Sequence, residues 1–210
     1  MPLIAKSSGE GNYEPIPAGV HIAICYALYD LGTHYSEKFG NMAHKIILSW
    51  ELPEERIKGE KDGKKFDMPR AISKEYTLSL NEKANLRKDL ENWRGKKFTE
   101  EELAGFDVGK IVGAPCQINV VHTPKGDKTY SNIGAIMPVP KGYKCGKPEN
   151  ETVYYIIEED KKDVPSQCPE FIRKKIEASQ EWAKLSDGQP PHHVAEEFAE
   201  TTVSEEGIPF

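Results

Sequence analysis

The chain has 210 residues, 38% of them hydrophobic and 30% charged, with a formal net charge of −6, which fits one soluble domain with added elements better than two full domains. No stretch approaches the ~18–20 uninterrupted apolar residues that a membrane helix needs, and residues 1–11 lack the apolar run of a secretory signal. Membrane association is therefore not expected, and the cytoplasm is the expected location.

The first 19 residues, with Gly9, Gly11, Pro15, Pro17 and Gly19, read as an irregular lead-in. Val20, Ile22, Ile24, Tyr26 and Leu28 then fall on alternate positions, predicting a first strand from Val20 to Leu31. A polar loop from Gly32 to Ala43 carries Tyr35, Lys38 and Phe39. A second strand is expected from His44 to Leu52, with Ile46, Leu48, Trp50 and Leu52 on one face and Lys45, Ser49 and Glu51 on the other, stopped by Pro53. Pro53 to Arg70 is charged and glycine-bearing, with Phe66 as its one aromatic, and reads as a long mobile connection.

Ile72 to Leu80 alternates as a third strand. Asn81 suits the N-cap of a helix from Glu82 to Trp93, in which Leu86, Leu90 and Trp93 share a face and Gly95 stops the helix. Thr99 and Glu102 have the spacing of a capping box. Pro115–Thr123 and Tyr130–Met137 read as a hairpin joined by a turn at 124–128. A short strand at Val153–Ile157 and a helix at Pro169–Leu185 complete the ordered part.

Charge is unevenly placed: residues 1–145 carry +2, whereas residues 146–210 carry −8. From Ser186 onward there are six acids and no Lys or Arg, interrupted by Gly188, Pro190, Pro191 and Gly207. Such a segment buries too little apolar area to offset chain entropy, so disorder is expected over 186–210. The expected organisation is a binding domain at 1–145, an extension packed on it at 146–185, and an acidic tail at 186–210.

Three strands, a helix and a two-strand hairpin is the element order of the OB-fold, a mainly β, five-stranded, partly open barrel that binds oligonucleotides through its loops. The candidate loops carry what single-strand binding needs: cations to follow phosphates and aromatic rings to stack bases. The candidate nucleic-acid-binding residues are Tyr35, Phe39, Lys45, Lys74, Tyr76, Lys125, Lys128 and Tyr130. Trp50 and Trp93, with apolar neighbours at strand and helix spacing, are assigned to the core. Tyr76 and Tyr130 face either outward or inward, alternatives that differ by one register step.

Cys25, Cys116, Cys145 and Cys168 form no CxxC pair, and His21, His34, His44, His122, His192 and His193 have no metal-ligand spacing. No GxxxxGK[ST], GxSxG or HExxH motif is present, and Glu100, Glu101 and Glu102 are accounted for by helix capping. Neither metal, cofactor nor catalytic residue is expected.

The chain ends Ser204-Glu205-Glu206-Gly207-Ile208-Pro209-Phe210. This ending resembles the acidic Ile-Pro-Phe tip of bacterial and bacteriophage single-stranded DNA-binding proteins, and Tyr13-Glu14-Pro15-Ile16-Pro17-Ala18-Gly19 is similar to a pattern of the phage type. The resemblance implies an OB-fold that coats single-stranded DNA during phage replication, recombination or repair, without catalysis. It also implies a tail that recruits replication or recombination enzymes through Glu205, Glu206, Ile208, Pro209 and Phe210. A homo-oligomer is compatible with the family, although the long 53–70 segment and the 146–185 extension depart from its usual bacterial form. Two other classes suit the composition: an acidic protein-interaction module or DNA mimic that inhibits a host nuclease, and, more distantly, an OB-type enzyme such as a nuclease.

Overall fold

The computed structural model describes residues 14–37, 40–61, 63–126, 128–157 and 163–185. The acidic 186–210 segment and its Ile-Pro-Phe tip lie outside the described residues. The fold is mainly β. Six strands, β1 (Gly19–Ser36), β2 (Asn41–Lys61), β3 (Lys64–Thr77), β4 (Pro115–Lys125), β5 (Lys128–Met137) and β6 (Val153–Tyr155), form one sheet of order β3-β2-β1-β4-β5, with β6 also paired to β1. The β1–β4 and β4–β5 pairings are antiparallel. Helix α1 (Asn85–Arg94) and the short α2 (Glu100–Ala104) stand between β3 and β4, followed by a single 3-10 turn at Val108–Ile111; α3 (Glu170–Glu177) and α4 (Gln180–Leu185) follow β6. Among the described residues no helix is long and apolar enough to cross a membrane.

By compactness the chain divides into two units. The first takes the described residues through Leu28, with Leu48–Lys74 and Ser79–Val153; the second takes Tyr29–Ile47, Glu75–Leu78 and the described residues from Tyr154 onward. Strands β1, β2 and β3 therefore each carry residues of both units.

In the first unit, Trp50 and Trp93 are buried, their ring centroids 5.9 Å apart, and the Trp93 Nε1–H donates to the Pro115 carbonyl at 2.8 Å. Leu86, Leu90 and Trp93 form the buried stripe of α1, which closes at Gly95 in the left-handed conformation (φ 65°). The Thr99–Glu102 capping box is formed in both directions. The N-terminus of α1 differs from expectation: it starts at Asn85 after an uncapped Ala84, while the Asn81 side chain accepts from Lys83 N–H in a turn before the helix.

Strands β1 and β2 are longer than their apolar alternation predicts. The predicted 32–43 loop shortens to a tip between Ser36 and Asn41, and the predicted mobile connection over 53–70 is two paired strands turning at Gly63. Pro53 does not stop β2, because proline has the φ of an extended chain and removes only one ladder donor. The arm is held by contacts across its own two strands. Arg56 Nε–H donates to Asp67 Oδ1 at 2.6 Å, Lys58 lies 3.3 Å from Asp67, and the Phe66 ring occupies the space above Gly59, where a Cβ would come within 2.5 Å of the ring. Strands kept by such cross-strand pairs show no hydrophobic period.

Ser49 and Glu51 are also buried, against the expected polar face of β2. Ser49 shares a hydrogen bond with Ser73 at 2.8 Å. The Glu51 carboxylate accepts from Glu149 N–H and Asn150 N–H, both at 2.8 Å, and from Asn150 Nδ2–H at 2.7 Å. The 138–152 segment thus lies over a face that local alternation reads as solvated.

In the second unit, the single helix expected at 169–185 is two, because Ser179, fully buried, accepts from Trp182 N–H and starts α4. Glu181 on α4 takes Thr33 N–H and Thr33 Oγ1–H, both at 2.6 Å. Gly32 (φ 73°) admits this approach, since a Cβ there would lie 2.6 Å from that of Ser179. Glu75 bridges Lys45 at 2.8 Å and Lys175 of α3 at 2.5 Å. Burial alone would raise the Glu75 pKa, but Lys175 and then Lys45 outweigh it and hold the carboxyl below its ordinary range. A carboxyl depressed on folding contributes stability that is present above its unfolded pKa and is lost as pH falls through the folded one. The seating of α3 is therefore expected to weaken as pH falls below the ordinary glutamate value of 4.5, and Glu75→Gln to flatten that acid limb; hydrogen exchange of the α3 amides against pH measures both.

Candidate nucleic-acid interface

The β4–β5 ribbon is built by alternation. Register pairs Val121 with Asn132, Thr123 with Tyr130, and Lys125 with Lys128, with Gly126 (φ 59°) in the turn. Side chains two apart on a strand share a face, so Val121, Thr123, Lys125, Lys128, Tyr130 and Asn132 all stand on the same one. This face is open: Tyr130 is 38% and Val121 39% exposed, and Thr123, Lys125 and Lys128 are exposed as well. Asn132 Nδ2–H donates to Thr123 Oγ1 at 3.0 Å, a link across the ribbon beside the tyrosine.

The lead-in chain touches the opposite face at its inner end: His122 Nε2 lies 2.7 Å from the Ile16 carbonyl, and the Ser131 hydroxyl donates to the same oxygen at 3.2 Å. Farther out, Pro124 and Thr129 of that face are exposed, as the lysine–tyrosine side is.

A bulge interrupts the ladder between Asn119 and Val120: Asn119 pairs with Ala135 and Val120 with Ile133, leaving Gly134 as the extra residue. Because the insertion is on β5, β4 keeps its alternation and the open face continues inward through Asn119 and Gln117, with Ala135 and Met137 opposite them. Val20 of β1, paired with Asn119, adds an exposed apolar side chain there. The strip thus runs from two cations and a ring at its tip to two carboxamides at its root.

Its electrostatics are unlike those of the chain as a whole. Between Asp107 and Glu149 there are six lysines and a single acid, Asp127, and β4 and β5 themselves contain no Asp or Glu. Among the described residues Lys128 has no ion-pair partner. A face that offers positive charge, one aromatic plane, hydroxyls and amides suits a phosphodiester strand with accessible bases.

The other candidate residues are placed differently. Tyr35, 62% exposed near the end of β1, lies in the second unit, and Phe39 lies outside the described residues. Tyr76 is only 3% exposed, so its ring is a core side chain and its role as a stacking platform is corrected. Lys45 and Lys74 sit on β2 and β3 as expected, but both are in ion pairs, Lys45 with Glu75 at 2.8 Å and Lys74 with Asp89 at 2.7 Å. A phosphate reaching either lysine would have to compete with a carboxylate already in contact. Lys125, Lys128 and Tyr130 are brought together on the ribbon. Glu205, Glu206, Ile208, Pro209 and Phe210, the expected partner-docking tip, lie outside the described residues.

Sequence reasoning missed Thr123, Val121, Asn132, Asn119 and Gln117. The usable signal was the near absence of acids from 108 to 148 in a chain that is acidic overall.

The four cysteines are free thiols. Burial pushes Cys25 up to about 12 and raises Cys116 further, so neither is a ready nucleophile or metal ligand. Among the described residues no cluster of three His, Cys, Asp or Glu side chains is placed to hold a metal ion. Comparison with protein-family models, with curated proteins and with solved structures found no match.

Proposed function

We propose that this chain is a sequence-independent single-stranded DNA-binding protein of the phage type, built on an OB-like barrel, whose strand-binding face is the open side of the β4–β5 ribbon. The observation that carries the reading is the register that sets Lys125, Lys128 and Tyr130 on one uncovered, acid-free face. Supporting it, β1 pairs with both β2 and β4, and the main helix stands between the third and fourth strands, as the OB topology requires.

Binding would divide by chemistry. The lysines neutralise phosphates without regard to sequence, Tyr130 stacks on whichever base is presented, and the carboxamides of Asn119 and Gln117 meet base edges that a duplex would hide. The acidic Ile-Pro-Phe tip would recruit replication or recombination enzymes, and binding would protect the strand and keep it from pairing.

The test is fluorescence of the protein titrated with poly-dT over a series of salt concentrations. Quenching that reverses as salt rises, with log affinity falling linearly in log salt, supports the reading. Absence of any response to poly-dT would sink it and favour an acidic interaction module, and metal-dependent cleavage of the strand would point to a nuclease.

A further inference from the structure

Where β5 ends, the open face meets a cleft. It has a volume of ≈ 520 Å³ and is lined by Ala135, Ile136 and Met137 of β5 and by Glu91, Asn92, Gly95, Lys96 and Lys97 at the end of α1. Ala135 and Met137 are the same residues that continue the strip past the bulge, opposite Asn119 and Gln117. β5 is also the last strand of the sheet path, so no further strand separates it from the cleft among the described residues.

Two lysines and one carboxylate line the cleft. Lys96 and Lys97 are exposed, and among the described residues neither ammonium has an ion-pair partner. The nearby acids are already engaged. Glu91 accepts from Arg87 Nε–H at 3.0 Å and from Phe98 N–H at 3.3 Å, and Glu102 is held by Arg94 and by Thr99 N–H. Arg87 first, then the Phe98 N–H, holds the Glu91 carboxyl below its ordinary range.

We infer that this cleft is a second phosphate-binding station, and that single-stranded nucleic acid runs from the Lys125–Lys128 tip along β4–β5 to Lys96 and Lys97. The inference rests on the proposed reading of the ribbon as the strand-binding face. The occupant follows from the order of groups along the surface: cations at both ends with a ring and amides between them match a linear polyanion whose charges repeat. Lys128 to Met137 is ten residues, about 30 Å from first to last at the rise of a β-strand, which is a fitting length for the several nucleotides that one OB domain covers. The other role open to lysines after a helix is to balance the negative end of its dipole; that role is indifferent to strand length.

The experiment compares the wild-type chain with the double variant Lys96→Gln/Lys97→Gln, using labelled oligo-dT of about 3 and about 12 nucleotides, lengths chosen to fall below and within the usual OB site size. The 12-mer is expected to bind the variant several-fold more weakly at low salt, with a log–log salt slope shallower by about 1.4, the release expected from two phosphates on a single strand. The 3-mer, which reaches only the tip, should bind both proteins alike. Equal affinity and slope for the 12-mer would overturn the second station, whether or not the variant melts earlier, and an equal loss on both lengths would overturn the track. If the wild type binds neither length, the ribbon reading itself fails and the second station with it; if it binds both and only the variant comparison is flat, the ribbon reading stands alone.

Discussion

Replacing Glu51 by alanine is expected to lower the stability of the chain by about 3 kcal/mol or more, the range for stranding several buried donors at once. Glu51 is fully buried and its two oxygens take three N–H groups of Glu149 and Asn150. Alanine leaves all three without an acceptor and opens a void beneath the 138–152 segment. Glutamine does not restore the arrangement, because its NH₂ group would face one of the donors. Arg56 Nη1–H, which donates to Glu149 at 2.5 Å, ties the same segment at a solvent-exposed site and contributes much less. Urea denaturation measures the effect as a shift in midpoint at unchanged slope; a loss under about 1 kcal/mol would mean that water replaces the carboxylate and that the segment is not held from below.

The second large effect is on binding. Reversing both tip charges, Lys125→Glu with Lys128→Glu, is expected to reduce affinity for poly-dT by about 10- to 100-fold at low salt, with the difference shrinking as salt rises. The two lysines are directly paired across β4 and β5, so the substitution turns a concentrated positive point into a negative one on the path of the strand. Both are exposed and beside the turn, which keeps the core out of the change. Tyr130→Ala should cost about 1–3 kcal/mol of binding, the worth of one stacked base, at every salt concentration. Electrostatic and stacking contributions separate in this way: one variant alters the salt slope and the other the intercept. An unchanged affinity in the double charge reversal would remove the ribbon from the binding surface.

How much of this was readable in advance depended on whether the determinant was local. The β4–β5 hairpin, the Thr99–Glu102 capping box, the Gly95 stop and the buried stripe Leu86–Leu90–Trp93 were all legible, because each depends on side chains within a few residues of one another. The 53–70 arm was not. Its strands are kept by Arg56–Asp67 and by Phe66 over Gly59, pairs between residues separated along the chain, and its charge and glycine imitate a loop. Tyr76 shows the same limit in the candidate site: alternation placed it on a strand face, but which face is buried depends on what the rest of the molecule packs there.

The sequence by itself determined that the chain is mainly β, where its last hairpin turns, and that Lys125, Lys128 and Tyr130 come together around that turn, since these follow from period-two alternation and turn chemistry. The tertiary structure decided that Lys45 and Lys74 lie against Glu75 and Asp89, while the side chains of Lys125 and Lys128 are exposed at the hairpin tip. The reason is physical: facing along a strand is fixed by neighbours in sequence, but solvation and charge pairing are fixed by neighbours in space.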